Sequence, residues 1–145
     1  MTLARHTVPN LEAVPLASKV ARAITALRVE DLPTAVVDKV KVCLFDLIGC
    51  AYESRDLPWS RQARALAEPL ADSARGASII GARGRVNAAE AAFANAVMGH
   101  GLVREDMHSG SISHLGIIVL PTLLALAETQ RVSGGDFIAA AVAGY

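Results

Sequence analysis

The chain has 145 residues, 52% of them apolar and 19% charged, with 14 basic and 14 acidic side chains and a net charge of zero. That length fits one domain with a core of its own, and so high an apolar share excludes a disordered chain. The charge balance provides neither the basic face of a nucleic-acid binder nor a polybasic membrane patch.

Arg5, Glu12 and two prolines precede any apolar stretch, which is unlike a signal peptide. The longest apolar run, LGIIVLPTLLALA at 115–127, falls short of the roughly 20 residues that span a bilayer. A soluble, cytoplasmic protein is therefore expected. Residues 15–27 read as a first helix, with Leu16, Val20, Ala23, Ile24 and Leu27 on one stripe and Pro15 suited to its first turn. Residues 34–53 read as a second, longer helix, capped by Asp31 or Thr34, with Pro33 early. Val36, Val40, Leu44, Leu47, Ile48 and Ala51 recur at helical spacing, and the polar side is narrow, so half or more of this helix should be buried.

Cys43 and Cys50 lie seven apart on that helix. A rise of about 1.5 Å per residue separates their Cα atoms by about 10 Å, beyond disulfide reach. They read as reduced, buried thiols and are too few to hold an iron–sulfur cluster. A third, more polar helix is expected over 58–70. The glycine-rich run GASIIGARGR at 76–85 lacks the phosphate-loop motif and reads as a connector with a short extended piece.

Residues 87–103 form a fourth helix, capped by Asn87 and so rich in alanine that neighbouring axes can approach closely. A fifth runs over 116–130, where Pro121 should sit in the first turn or force a kink. A sixth opens at Ser133 and runs to Tyr145. Few segments alternate with period two. The expected fold is an all-α helical bundle occupying residues 1–145.

Between the fourth and fifth helices stands REDMHSGSISH, residues 104–114. His100 shares the face of Phe93 and Val97, so it reads either as a core histidine bonded to backbone or as part of a site. Glu105 and Asp106 are adjacent acids, which raise one another's pKa if desolvated and are simply solvated if exposed. His108 and His114 suit proton transfer near neutral pH. His114 also stands just before the fifth helix, whose first N–H groups lack intrahelical partners and attract carboxylates. With Ser113 and the other hydroxyls nearby, the loop is a candidate pocket for an anion. Asp106, His108 and His114 are conceivable metal ligands, but their spacing matches no strong signature, and no metal is assigned.

The stretch NAAEAAFANAVMGHGLVREDMHSGSISHLGIIVLPTLLALAE resembles the core signature of the MmgE/PrpD family, which includes dehydratases, decarboxylases and epimerases of small polycarboxylates. Members tend to read AN…AH…LD(Y/F)DDTH…HPG…PAALALAE, then SG…AAVAGYE, and SGGDFIAAAVAGY fits that continuation. VVDKVKVCLFDLIGCAYES resembles the family's first long helix. The resemblance covers residues 16–145. It implies an all-helical domain, a second, smaller α+β domain absent from this chain, homodimers, and no cofactor. Known members are far longer, so the chain is expected to be the N-terminal part.

Position by position, Glu105 and Asp106 match the family's paired acids, His108 the histidine after them, His114 the histidine of HPG and His100 the one at the helix end. The family's aspartate two before the acid pair is Val103 here, its aromatic is Arg104, its threonine Met107, and the proline after the second histidine Leu115. The substrate therefore should differ from those of the best-known members. The resemblance implies a carbon–oxygen lyase in which His114 transfers a proton or binds carboxylate, oriented by Asp106 and helped by His108. Glu105, Ser113 and His100 complete the substrate site, and Arg104 either meets a substrate carboxylate or faces solvent. The rival reading is a non-enzymatic helical module that dimerises.

Overall fold

The computed structural model describes residues 14–70, 72 and 75–145. Residues 1–13, on which the reading of the N-terminus rests, lie outside them. Among the described residues there are six α-helices and no strand: α1 (Leu16–Ala26), α2 (Thr34–Ser54), α3 (Pro58–Ala65), α4 (Ala88–Gly99), α5 (Gly116–Gln130) and α6 (Gly134–Gly144). The all-α expectation holds. None of these helices is long and apolar enough to cross a membrane.

The core is two apolar clusters that both draw on α2 and α5. One joins Ala51, Ala91, Ala94, Met98 and Ala125 with Ala77, Ile79 and Val86 of the α3–α4 connection. The other joins Val40, Cys43, Leu47 and Leu120 with Phe137 and Ala141 of α6. The alanine-rich α4 packs on α5, α2 and α3, as its small side chains allow. Gly99 fits where a Cβ would press on Leu47 and Ile117, and Gly101 where one would press on Ser54. Ser54 in turn donates its hydroxyl to the Met98 carbonyl.

Several expected boundaries move, each for a local reason. Helix α3 stops at Ala65 rather than 70. Proline at 69 disfavours helical backbone before it, and the Leu70 N–H is spent on the Arg85 carbonyl at 2.9 Å. Helix α4 ends at Gly99, not 103, with His100 as its C-cap. Asn87 caps α4 as expected, accepting from the Ala89 N–H at 3.0 Å, and Ser133 caps α6. Neither Asp31 nor Thr34 caps α2: Thr34 is its first residue, Pro33 stands at the cap, and Asp31 belongs to a short 3-10 turn. Pro121 lies in the second turn of α5, not the first, and leaves the Ile117 carbonyl without an N–H four residues on.

Burial departs further. The α1 stripe faces outward: Leu16, Val20 and Ile24 are exposed, and no residue of α1 is buried among the described residues. On α2 only the line Val40, Cys43, Leu47, Ala51 and Ser54 is buried, whereas Phe45 is 80% exposed.

The glycine-rich segment is a connector, held by polar anchors. Ala77 and Val86 exchange backbone hydrogen bonds at 2.9 and 3.0 Å. Buried Asn95 accepts from the Ile80 N–H at 2.8 Å and donates to the Ser78 carbonyl at 2.9 Å. Glu128 accepts from the Ser78 N–H and hydroxyl, both at 2.9 Å, and pairs with Arg85 at 2.6 Å.

Candidate functional site

The loop between α4 and α5 leaves the helix through Val103, whose φ is +53°, and turns back at Ile112, φ +52°. Both are β-branched in the left-handed region, where such residues are strained by about 1–3 kcal/mol each. Between them the two adjacent acids part. Glu105 goes inward and is buried, whereas Asp106 is half-buried on another side.

Glu105 is the hub. Its side chain is 1% exposed. One oxygen, Oε1, is bonded to His100 Nδ1 and lies 2.9 Å from His114 Nδ1. The second approach does not meet hydrogen-bond geometry, and His114 Nδ1 has no hydrogen-bond partner among the described residues. Nor, among the described residues, has Glu105 Oε2, which is buried. The two imidazoles meet edge to face, with centroids 5.0 Å apart. Burial pushes the Glu105 carboxyl up, but the His100 hydrogen bond, the loop's own N–H and the two histidines outweigh it, and it ends below the usual carboxylate range. His100 is thus neither a core residue nor bonded to backbone: its side chain is 44% exposed and turned to a carboxylate.

Asp106 does not reach His114 as expected. Its Oδ1 lies over Gly116, the first residue of α5, so closely that any side chain at 116 would collide with it and with the Tyr145 hydroxyl. That hydroxyl faces Asp106 and Cys43. Burial, then Asp106, keep it protonated well above the ordinary tyrosine range. Burial likewise pushes the Cys43 thiol up, with Asp106 adding to it, so Cys43 is a poor nucleophile. Both cysteines are free, as expected, Cys43 buried and Cys50 half-buried.

Beside these groups opens a cavity of about 590 Å³, walled by Val36, Val40, Leu115 and Val142, with Lys39, Cys43, Asp106, His108 and Tyr145 as its polar lining. It lies between α2, α6 and the loop, not between α4 and α5. Of the sequence candidates, Asp106 and His108 line it. His108 is fixed by Ser111, whose hydroxyl is 2.8 Å from its Nδ1. Ser113 pairs with His108 through backbone and turns its own hydroxyl to the Ser111 carbonyl at 3.3 Å. Arg104 faces solvent and pairs with exposed Glu53 at 2.8 Å. Lys39, Cys43 and Tyr145 escaped the sequence reading. The spacing of Val36, Lys39, Val40 and Cys43 puts them on one face of α2, a signal that was there to be read.

Residues 18–145 match the MmgE/PrpD N-terminal domain. The chain belongs to the MmgE/PrpD family. It is 32% identical over 129 residues to the cis-aconitate decarboxylase-like protein oryM of Aspergillus oryzae (strain ATCC 42149 / RIB 40), covering 84% of this chain and 27% of that protein. It is 29% identical over 136 residues to a cis-aconitate decarboxylase of Aspergillus terreus, covering 88% and 27%. A cis-aconitate decarboxylase from Aspergillus terreus strain NIH 2624 / FGSC A1156 is 30% identical over 127 residues, covering 82% and 25%. This MmgE/PrpD domain therefore spans about a quarter of the length of these relatives. No solved structure matches it.

Proposed function

We propose that the chain is the N-terminal helical part of a lyase that acts on a small polycarboxylate by proton transfer next to a carboxylate, with His114 as the proton-transferring group. The observation that carries this is the buried Glu105 carboxylate 2.9 Å from Nδ1 of His114, whose chain neighbour Leu115 walls the cavity that Asp106 and His108 line. A small turn of the ring would bring Nδ1–H onto that carboxylate and leave the Nε2 lone pair for the substrate, so we assign Glu105 as the positioning carboxylate in place of Asp106. Lys39 offers charge to a substrate carboxylate. The step calls on no metal and no cofactor. Dehydration and decarboxylation both need proton transfer at such a carbon. The sequence reading favours a carbon–oxygen lyase, while the relatives' names favour a decarboxylase. We place the protein in the cytoplasm as a homodimer, and neither nucleic acid nor membrane is among its proposed partners.

Cis-aconitate and citrate titrated calorimetrically into the 145-residue chain should bind. His114→Ala should weaken binding at least roughly tenfold, about 1.4 kcal/mol. Turnover by the chain alone should be negligible, because the chain spans about a quarter of its relatives. In the longer protein His114→Ala should cut turnover roughly a hundredfold or more, the scale of an acid–base group. Binding that ignores His114 would favour the second reading, a non-enzymatic association module. The uncovered apolar residues of α1, Leu16, Val20 and Ile24, support that alternative.

A further inference from the structure

We propose that His100, Glu105 and His114 form a binding site for a divalent cation of the zinc class, and that a cation held there shuts off proton transfer by His114. The second half rests on the function proposed above; the first does not. The ligating atoms of the three side chains all lie within 4.8 Å of one another. Ligands about 2.0–2.1 Å from a tetrahedral zinc stand about 3.3 Å apart, so small side-chain shifts suffice. Two imidazoles and one carboxylate suit zinc, cobalt or iron(II) and leave positions open for water.

Two atoms point to a ligand rather than to a closed hydrogen-bond network. Among the described residues Glu105 Oε2 is buried with no partner, and His114 Nδ1 is close to Oε1 yet makes no hydrogen bond to it. Polar atoms out of water and unpaired are costly, and one cation between them satisfies both. The half-exposed His100 provides the way in. A neutral imidazole that gives its Nδ1 lone pair to a cation keeps its single proton on Nε2. No lone pair is then left at Nε2 to accept a proton from substrate.

The test titrates zinc against a chromophoric chelator with the 145-residue chain, and follows the visible spectrum with cobalt(II). One cation per chain is expected, weakened at least roughly tenfold by each of His100→Ala, Glu105→Gln and His114→Ala. Cys50→Ser, the control for a nearby thiol, should leave it unchanged. If Glu105→Gln unfolds, as circular dichroism would show, His100→Ala at its half-exposed position carries the test. No binding, binding indifferent to the three substitutions, or binding lost with Cys50→Ser overturns the site. Nitrogen NMR of zinc-loaded His114 should show a protonated Nε2, and zinc found on Nε2 instead overturns the shut-off. Zinc binding without cis-aconitate binding sinks the proposed function alone, and the converse sinks the cation site alone.

Discussion

Glu105 turns a sequence of neighbouring charges into a site, and its electrostatics can be read from acid titration. His100 at the end of α4 and His114 before α5 face it, with Cys50 of α2 nearby. Its carboxyl is held below the value of about 4.3 that the unfolded chain would show. As pH falls past that value, the unfolded chain takes up the proton first, so the stabilisation present at neutral pH drains away until the folded carboxyl is also protonated. Glu105→Gln removes this contribution. Urea midpoints measured from pH 6 down should fall more steeply for the wild type than for the variant below about pH 4.3. Parallel curves would mean that the histidines leave the carboxyl unshifted. Adjacency in sequence could not say which acid turns inward. Glu105 and Asp106 differ by one methylene, and what separates them is tertiary: Glu105 meets two histidines from either side of the loop, and Asp106 covers the bare backbone of Gly116.

Helix periodicity and capping residues carry information within a few turns, which is why α2, α4, α5 and α6 were legible nearly to the residue at their starts. The ends of α2, α5 and α6 were legible to within one residue, and that of α4 was not. Helix α4 keeps its apolar pattern through Val103, but Gly99 and Gly101 are spent on close approach to Leu47 and Ser54, and the chain leaves the helix there. The loop that follows begins on Val103 at positive φ, where asparagine and aspartate are tolerated far better than valine. Val103 is 60% exposed, so its side chain adds little packing to offset that strain. Val103→Asn should therefore raise stability by about 1 kcal/mol, the lower end of such strain, seen as a higher thermal midpoint with unchanged far-UV circular dichroism. A lower midpoint would show that the valine packs against something that outweighs its backbone.

Across the whole molecule, the cavity was invisible in sequence because its wall joins α2 residues 36–43 to residues 106–115 and 142–145, and no short window contains both sides. The exposure of the α1 stripe was not legible for a related reason: amphipathicity says that a face is apolar, not that anything covers it. What the fold does settle is how its parts share stability. Both core clusters draw on α2 and α5, with Ala51 and Ala125 in one and Leu47 and Leu120 in the other. Two cores built on the same pair of helices should melt together. Leu47 is 1% exposed, and truncating a buried leucine to alanine costs about 2–5 kcal/mol. Trp59, the single tryptophan, sits on α3, which packs on α4 at the other cluster, and so reports on that end. Leu47→Ala should lower the midpoint by about 5–15 °C for a chain of this size. The shift should be equal whether followed by Trp59 fluorescence or by helical circular dichroism. A fluorescence midpoint that stays put while the helical signal moves would divide the domain into two independently folding halves.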